Sequence, residues 1–250
     1  MITTESPEGT TPEGAQGEIQ AATWVREMFS TIAPRYDLLN HLLSFNVDRG
    51  WRKALLRALA PATAKPDAKI LDLCCGTGDV LLDLQSVSES RILGADFCHP
   101  MLIAASHKAQ HAGFPAPLFE ADALGLPLRE GTLDAISIAF GFRNLASYAR
   151  GFDELRRVLK PGGTVAILEF SHPPNSFLAW AYGLYSRVAL PKIGAMVSGS
   201  SDAYHYLPES IRKFPKPEKL EEMMRHAGFI ETRFELLTGG IAALHVGTRR

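Results

Sequence analysis

The sequence predicts an α/β fold: a doubly wound, seven-stranded, mostly parallel sheet with an antiparallel C-terminal hairpin strand and an N-terminal helical cap. Three observations carry that prediction. Between residues 70 and 170, short apolar runs alternate with helical patterns, the rhythm of β-α-β units. The first run, Ile70-Leu71-Asp72-Leu73, breaks into Cys74-Cys75-Gly76-Thr77-Gly78-Asp79 and then a helical stripe of Val80, Leu81 and Leu84. Two further runs, about 230–237 and 241–247, are joined only by Thr238-Gly239-Gly240. That link is too short for a parallel crossover and demands a hairpin.

In chain order, residues 1–20 are polar and rich in Gly, Pro and Thr, without an apolar core for a signal peptide, and are expected to be a disordered tail. Residues 21–60 form the helical cap, with Trp24, Val25, Met28, Phe29 and Ile32 at helical spacing. Ala33-Pro34 breaks that helix, Leu38 to Leu43 open another, and Asn46 or Asp48 caps a third carrying Trp51, Leu55 and Leu59. Around Tyr36 and Asp37 this cap either covers one edge of the sheet or closes over a ligand. A proline-bearing linker (61–67) leads into the main domain, 61–250, which carries a cap or lid insertion at about 172–215.

The glycine loop after the first strand lets backbone approach a ligand, and the helix that follows presents free N–H groups. The next strand ends in Asp96, where a carboxylate is placed to accept both protons of a ribose diol. This Rossmann-like signature departs from a dinucleotide site in one respect. The third glycine is missing, with Leu81 in its place, and Asp72 and Asp79 would repel a diphosphate while suiting a cationic ligand. Gly76, Gly78, Asp72 and Asp96 therefore point to S-adenosylmethionine, which has a ribose, a sulfonium and an ammonium but no phosphate.

A helix begun by Pro100 follows. The third strand, 117–123, ends in Asp122-Ala123, which reads either as a solvated helix cap or, in a methyltransferase, as the place facing the adenine, where the carboxylate accepts from the exocyclic amine and a backbone N–H bonds a ring nitrogen. The fourth strand, 133–140, delivers Gly141-Phe142-Arg143-Asn144 at its carboxyl end, where ligands bind in open α/β sheets. A helix with Phe152, Leu155 and Val158 leads to the turn Lys160-Pro161-Gly162-Gly163 and a fifth strand, 165–170. Residues 177–197 are almost uncharged and serve as core or as a lid with an apolar face. An amphipathic helix, 217–228, precedes the hairpin.

Bulk properties set limits. The 250 residues carry 26 basic and 27 acidic side chains, net −1, so no basic field draws nucleic acid to the chain. Cys74, Cys75 and Cys98 show neither zinc spacing nor a disulfide framework, which suits a reducing, cytoplasmic compartment. No stretch is long and charge-free enough to span a bilayer.

Taken together, LDLCCGTGD, the acid of Ala95-Asp96-Phe97, DALGLP, LKPGG and the closing hairpin resemble a class I S-adenosylmethionine-dependent methyltransferase. FSTIAPRYDLLNHLLSFNVDRGWRK (29–53), IAFGFRNL (138–145), AYHYLPESI (203–211) and GIAALH (240–245) are similar to the ubiquinone/menaquinone biosynthesis C-methyltransferase family. The resemblance covers roughly residues 24–248. It implies methylation of a ring carbon of a prenylated quinol, demethylmenaquinol to menaquinol, or the corresponding benzoquinol of the ubiquinone pathway. By position it assigns Thr77, Asp96, Asp122 and Ala123 to the cofactor. Family members often carry serine where Ala139 stands, so a hydroxyl contact is not expected there.

The chemistry needs no metal, since the thioether departs neutral. It requires aligned reactants, a dry site and a donor to the quinol oxygen as charge develops. Arg143 is the expected stabiliser, with Asn144 and Tyr36 orienting the quinol oxygens. A guanidinium holds its proton, so the proton acceptor is open among a water at Asp37, Glu169, His172, His205 and His245. The prenyl tail asks for an apolar channel built from 177–197 and the N-terminal helices, and that cap is expected to touch a membrane surface peripherally. Oligomeric state, a homodimer included, is not readable. Two rival readings share parts of the pattern: a nicotinamide-dependent reductase and a non-catalytic S-adenosylmethionine-binding protein.

Overall fold

The computed structural model describes residues 9–33, 47–176, 180, 183 and 202–250, with 202–205 described by backbone alone. Tyr36, Asp37, the 38–43 helical pattern, nearly all of 177–197 and the side chain of His205 lie outside the described residues.

The strands are β1 (Ile70–Leu73), β2 (Ile92–Asp96), β3 (Leu118–Glu120), β4 (Leu133–Ala139), β5 (Leu159–Phe170), β6 (Phe229–Leu237) and β7 (Ala242–Arg249). The helices are α1 (Gly17–Ile32), α2 (Asp48–Thr63), α3 (Asp79–Gln85), α4 (His99–His111), α5 (Tyr148–Val158), α6 (Asp202–Lys213) and α7 (Pro217–His226). The strands form one seven-stranded sheet in the order β3-β2-β1-β4-β5-β7-β6. The first five pair in parallel, while β7 runs antiparallel to both β5 and β6. The predicted fold class is thus the observed one. Strand order reverses between β1 and β4, which opens a crevice at their carboxyl ends.

Alternation along the strands separates two cores. Leu71 and Leu73 face a layer formed by Phe152 and Leu155 of α5 with Leu220 and Met224 of α7. Ile70 faces the opposite layer, built from Trp51, Leu55 and Leu59 of α2 and Val80, Leu81 and Leu84 of α3. A third cluster seats Ile32 and Ala33 at the end of α1 against Cys98 and Met101 at the start of α4.

The structure differs from the sequence reading at four places. Helices α1 and α2 are not one cap: α1 packs on α4 and α6, whereas α2 lies on β4, β5 and β7 as a layer of the sandwich. The Trp51/Leu55/Leu59 stripe is wide enough to cover a sheet face rather than an edge. Helix α2 also continues through Pro61 to Thr63, into the stretch read as linker. The turn at 160–163 lies inside β5, looped out between the pairs Leu133↔Leu159 and Ala135↔Thr164, with Gly162 at φ +77°. The expected antiparallel hairpin ends the sheet, and within it the last strand is the inner one. Strand β7 is buried along most of its length, while β6, with Glu231, Arg233 and Glu235, forms the edge.

The fourth difference is at the N-terminus. The stretch assigned to a disordered tail is seated from Gly9 onward: Thr10 N–H donates to the Leu145 carbonyl at 2.8 Å, and Lys213 Nζ to the Thr11 carbonyl at 3.0 Å. Long-range partners 135 and 202 residues away hold it, which local composition does not reveal.

Candidate cofactor and substrate site

At the switch point, Cys74 and Phe140 stand one residue beyond β1 and β4 with φ +55° and +57°. For a side-chain-bearing residue each such conformation costs about 1–2 kcal/mol. The two turns abut closely, because a Cβ on Gly141 would fall 2.3 Å from Cys74 Cβ. Only glycine fits there, and the turned chains leave room beside them for a ligand.

That room is a cleft of about 690 Å³, measured to its open mouth. Gly76, Asp96, Asp122, Ala123 and Asn144 line it, together with an apolar wall that includes Phe29, Met101, Leu124 and Phe140. Among the described residues lining it there is no lysine or arginine. Described lining residues that include acids and no lysine or arginine fit a cationic ligand without phosphates.

Asp96 is buried at the end of β2. Its Oδ2 accepts from the Gly76 N–H and its Oδ1 from the Cys98 N–H, each at 2.9 Å. Each oxygen keeps further lone-pair capacity for a diol. Burial pushes its pKa up to about 6, against the pull of the backbone N–H groups of Cys98, Gly76 and Phe97. Asp122 is exposed, and its Oδ1 accepts from Leu124 N–H at 2.9 Å in a local turn that presents Ala123.

The remaining cofactor candidates lie behind this wall. Asp72 is fully buried on β1, accepting from Ser137 Oγ at 2.7 Å. Burial lifts its pKa to about 7, with Ser137 pulling the other way. Thr77 is buried, and its hydroxyl lies 3.4 Å from Lys108 Nζ. Gly78, at φ +90°, caps α3, and its N–H donates to the Cys75 carbonyl at 2.9 Å. The charge of Asp79 does not face the cleft, because Lys108 Nζ at 2.6 Å and Arg52 at 3.5 Å take it up. Asp72, Thr77 and Gly78 shape the loop, while Gly76 and Asp96 form the surface.

The turn after β4 is a single 3-10 element, Phe142–Asn144. Arg143 in it is buried: its Nη1 donates to Glu169 Oε2 at 3.0 Å and to the Phe140 carbonyl at 2.5 Å, and its backbone N–H donates to Glu169 Oε1 at 3.0 Å. Arg143 is not among the lining residues of the cleft, whereas its neighbour Asn144 is. Asn144 Nδ2 donates to the Phe140 carbonyl at 3.3 Å, and its Oδ1 accepts from Tyr206 Oη at 2.9 Å. Tyr36 lies outside the described residues.

Of the proton-acceptor candidates, Glu169 is held by Arg143. His172 Nε2 lies 3.0 Å from the Phe214 carbonyl and His245 Nε2 3.0 Å from that of Pro217. Burial pushes the His245 pKa down to about 4. Sequence reasoning missed Phe29, Phe97 and Met101 as cleft residues. Phe97, directly after the acid of β2, was the most findable of them. Tyr206 was missed as a partner of Asn144 because 62 residues separate the two.

A reversing seven-stranded sheet, a glycine loop and an acid ending β2 define the class: an S-adenosylmethionine-dependent methyltransferase. Solved structures agree at the level of fold. An S-adenosylmethionine-dependent methyltransferase from Thermotoga maritima superposes with TM-score 0.62 at 20% identity, covering 90% of this chain and 99% of that one. The [4+2]-cyclase SpnF gives 0.68 at 16% identity, covering 96% and 99%. More narrowly, the chain belongs to the ubiE/COQ5 methyltransferase family, whose model matches residues 17–249. It is 50% identical to the demethylmenaquinone methyltransferase of Thermus thermophilus over 89% of this chain and all of that protein. The corresponding enzyme of Deinococcus radiodurans is 47% identical over 90% of this chain and 92% of its own length. A ubiquinone/menaquinone biosynthesis C-methyltransferase, UbiE, of Syntrophotalea carbinolica is 45% identical over 90% and 93%. The family resemblance seen in the motifs is borne out.

Proposed function

We propose that this protein methylates a ring carbon of a prenylated quinol, converting demethylmenaquinol to menaquinol. The observation that carries this reading is a single cleft that joins the Gly76/Asp96 surface to an apolar wall, in a chain of this family. The relatives named above as demethylmenaquinone methyltransferases support the naphthoquinol ring. Relatives named for both pathways support benzoquinol methylation as the second reading.

When bound, S-adenosylmethionine supplies an activated methyl group whose carrier leaves as a neutral thioether. Asp96 receives the ribose hydroxyls, Gly76 admits the ligand close to backbone, and Asp122 and Ala123 border the adenine. Thr77, Asp72 and Gly78 hold the loop in that shape. Phe29, Met101, Leu124 and Phe140 exclude water from the flat ring and strengthen every electrostatic contact beside it.

Asn144 offers its second Nδ2–H to the quinol oxygen that gains negative charge. Arg143, paired with Glu169, fixes the turn that presents Asn144 and remains the proposed stabiliser of the developing charge, with Asn144 as the donor beside it. Tyr36 is proposed to orient the ring, and water at Asp37 is one proposed route for the proton; both residues lie outside the described ones. Among the described residues no helix is long and apolar enough to cross a membrane. The substrate's tail is proposed to be collected by peripheral contact of the N-terminal region with the membrane surface, and liposome co-sedimentation tests that step.

The deciding experiment is a methyl-transfer assay with labelled S-adenosylmethionine under reducing conditions, offering demethylmenaquinol and the ubiquinol precursor in parallel. Label is expected on the naphthoquinol ring. Label on the benzoquinol alone replaces the first reading by the second, and cofactor binding without transfer to either ring overturns both.

A further inference from the structure

Asn144 is the polar side chain of the cleft that the strand–loop–helix framework does not orient by itself. Its carboxamide reads as a donor or an acceptor depending on which way it faces, and a flip exchanges the two. Three hydrogen bonds remove that ambiguity. The Phe140 carbonyl accepts only, so it takes Nδ2–H at 3.3 Å. On the other side, Oδ1 accepts only, so the single Tyr206 proton points to it across 2.9 Å. Tyr206 Oη is then left as the acceptor for Thr10 Oγ1–H, 2.8 Å away. The chain therefore runs in one direction: Thr10 to Tyr206 to Asn144 to Phe140.

Thr10, Tyr206 and Asn144 are all buried, at 6%, 6% and 9% exposure, so water does not substitute readily for any link. Burial also pushes the Tyr206 pKa up, which keeps the phenol in its donating form. The segment that delivers Thr10 is built to sit where it does. A Cβ on Gly9 would lie 1.9 Å from the Ala146 carbonyl oxygen, so only glycine allows that approach. Thr10 N–H holds Leu145, the residue next to Asn144, at 2.8 Å.

We propose that Thr10 and Tyr206 are positioning residues that aim the Asn144 carboxamide into the cleft, which makes the seated N-terminal segment part of the active site. The proposal rests on the reading of Asn144 as the donor to the quinol oxygen. The segment thereby couples the chain's start to the reacting ring through α6, and any displacement of it turns Asn144 loose without touching the cofactor surface at Asp96.

The test uses the full chain with Thr10→Val, Tyr206→Phe, Asn144→Ala and the double variant Tyr206→Phe/Asn144→Ala. The first readout is the side-chain amide region of a nitrogen–proton NMR spectrum, where the Asn144 pair is the one that Asn144→Ala removes. Both hydroxyl deletions are expected to move that pair. The second is steady-state methyl transfer to demethylmenaquinol. Tyr206→Phe is expected to lower kcat about five- to tenfold, with cofactor affinity changed less than about twofold. In the Asn144→Ala background the same change is expected to cost less than about twofold, because residues acting through one another are not additive.

An unmoved Asn144 pair in both variants, or an equal loss in both backgrounds, overturns the proposal. Should either hydroxyl variant fold poorly, Gly9→Ala leaves all three polar side chains intact, lifts the segment, and is expected to shift the same pair. Absence of transfer by the unaltered protein would overturn the substrate reading instead, and the NMR result would still decide the positioning.

Discussion

Asp96 combines three properties at one residue. It ends a strand at the switch point, it accepts two backbone N–H groups, and burial holds its pKa near 6. A diol needs the ionised carboxylate as a double acceptor, so affinity is present above that pKa and lost below it. Cofactor affinity measured calorimetrically is expected to weaken as pH falls from 7 to 5, and Asp96→Asn is expected to bind weakly with a flattened profile. A flat profile in the unaltered protein would show that the ionised form is not the one that binds. The same shift has the opposite effect on stability. Asp96 and Asp72 have folded pKa values raised to about 6 and about 7 from 3.8. The native state therefore binds more protons than the unfolded chain in that interval, and their contribution to stability falls as pH rises through it. Gly141 makes a second residue-scale statement. Gly141→Ala forces a Cβ against Cys74 Cβ, and overpacking of this kind costs about 1–3 kcal/mol in urea denaturation.

At the scale of elements, the 3-10 turn after β4 is held by the buried Arg143–Glu169 pair, with side-chain exposures of 6% and 1%. Removing one partner of such a pair strands the other's charge. Glu169→Gln is expected to lower stability by about 3–5 kcal/mol, far more than an exposed ion pair would cost. The measurement is the denaturation midpoint beside that of a surface control such as Lys219→Gln, whose bridge to Glu222 is exposed. Equal effects would show that the pair does not hold the turn. The aromatic group of Trp51, Phe140 and Phe170 ties this turn to α2, and Trp51 Nε1–H donates to Thr238 Oγ1 at 2.8 Å, linking α2 also to the hairpin. The layer formed by α2 thus fastens the cleft's floor to the far edge of the sheet.

At the scale of the whole molecule, the class of ligand is a bulk property of the cleft: acids, an apolar wall and no lysine or arginine among the described lining residues. A ligand that binds only the native state raises its stability by mass action. S-adenosylmethionine at a hundredfold excess over its dissociation constant is expected to add about 2.7 kcal/mol, seen as a rise in the thermal midpoint. NADH, which carries a diphosphate to acids, is expected to leave the midpoint unchanged. A shift with NADH alone would return the reductase reading.

How much of this was legible differs with the range of the interaction involved. Local pattern was enough for the strand–loop–helix opening at Gly76, for the acid closing β2 at Asp96, and for a hairpin at Thr238-Gly239-Gly240. Each of these is written in consecutive residues whose conformational preferences act over a few bonds. The family, too, was readable from short motifs. What local pattern could not supply was the order of pairing. That β7 lies inside β6 follows from which strand has both faces covered, a property of the assembled layers, although the charges of β6 hint at it. The two N-terminal helices were read as one cap because adjacency in sequence says nothing of which face each apolar stripe meets. Only the tertiary structure turned Arg143 toward Glu169 and left Asn144 at the cleft. Only it brought Thr10 to Tyr206 across 196 residues, because hydrogen bonds between distant residues exist once packing has excluded water from both.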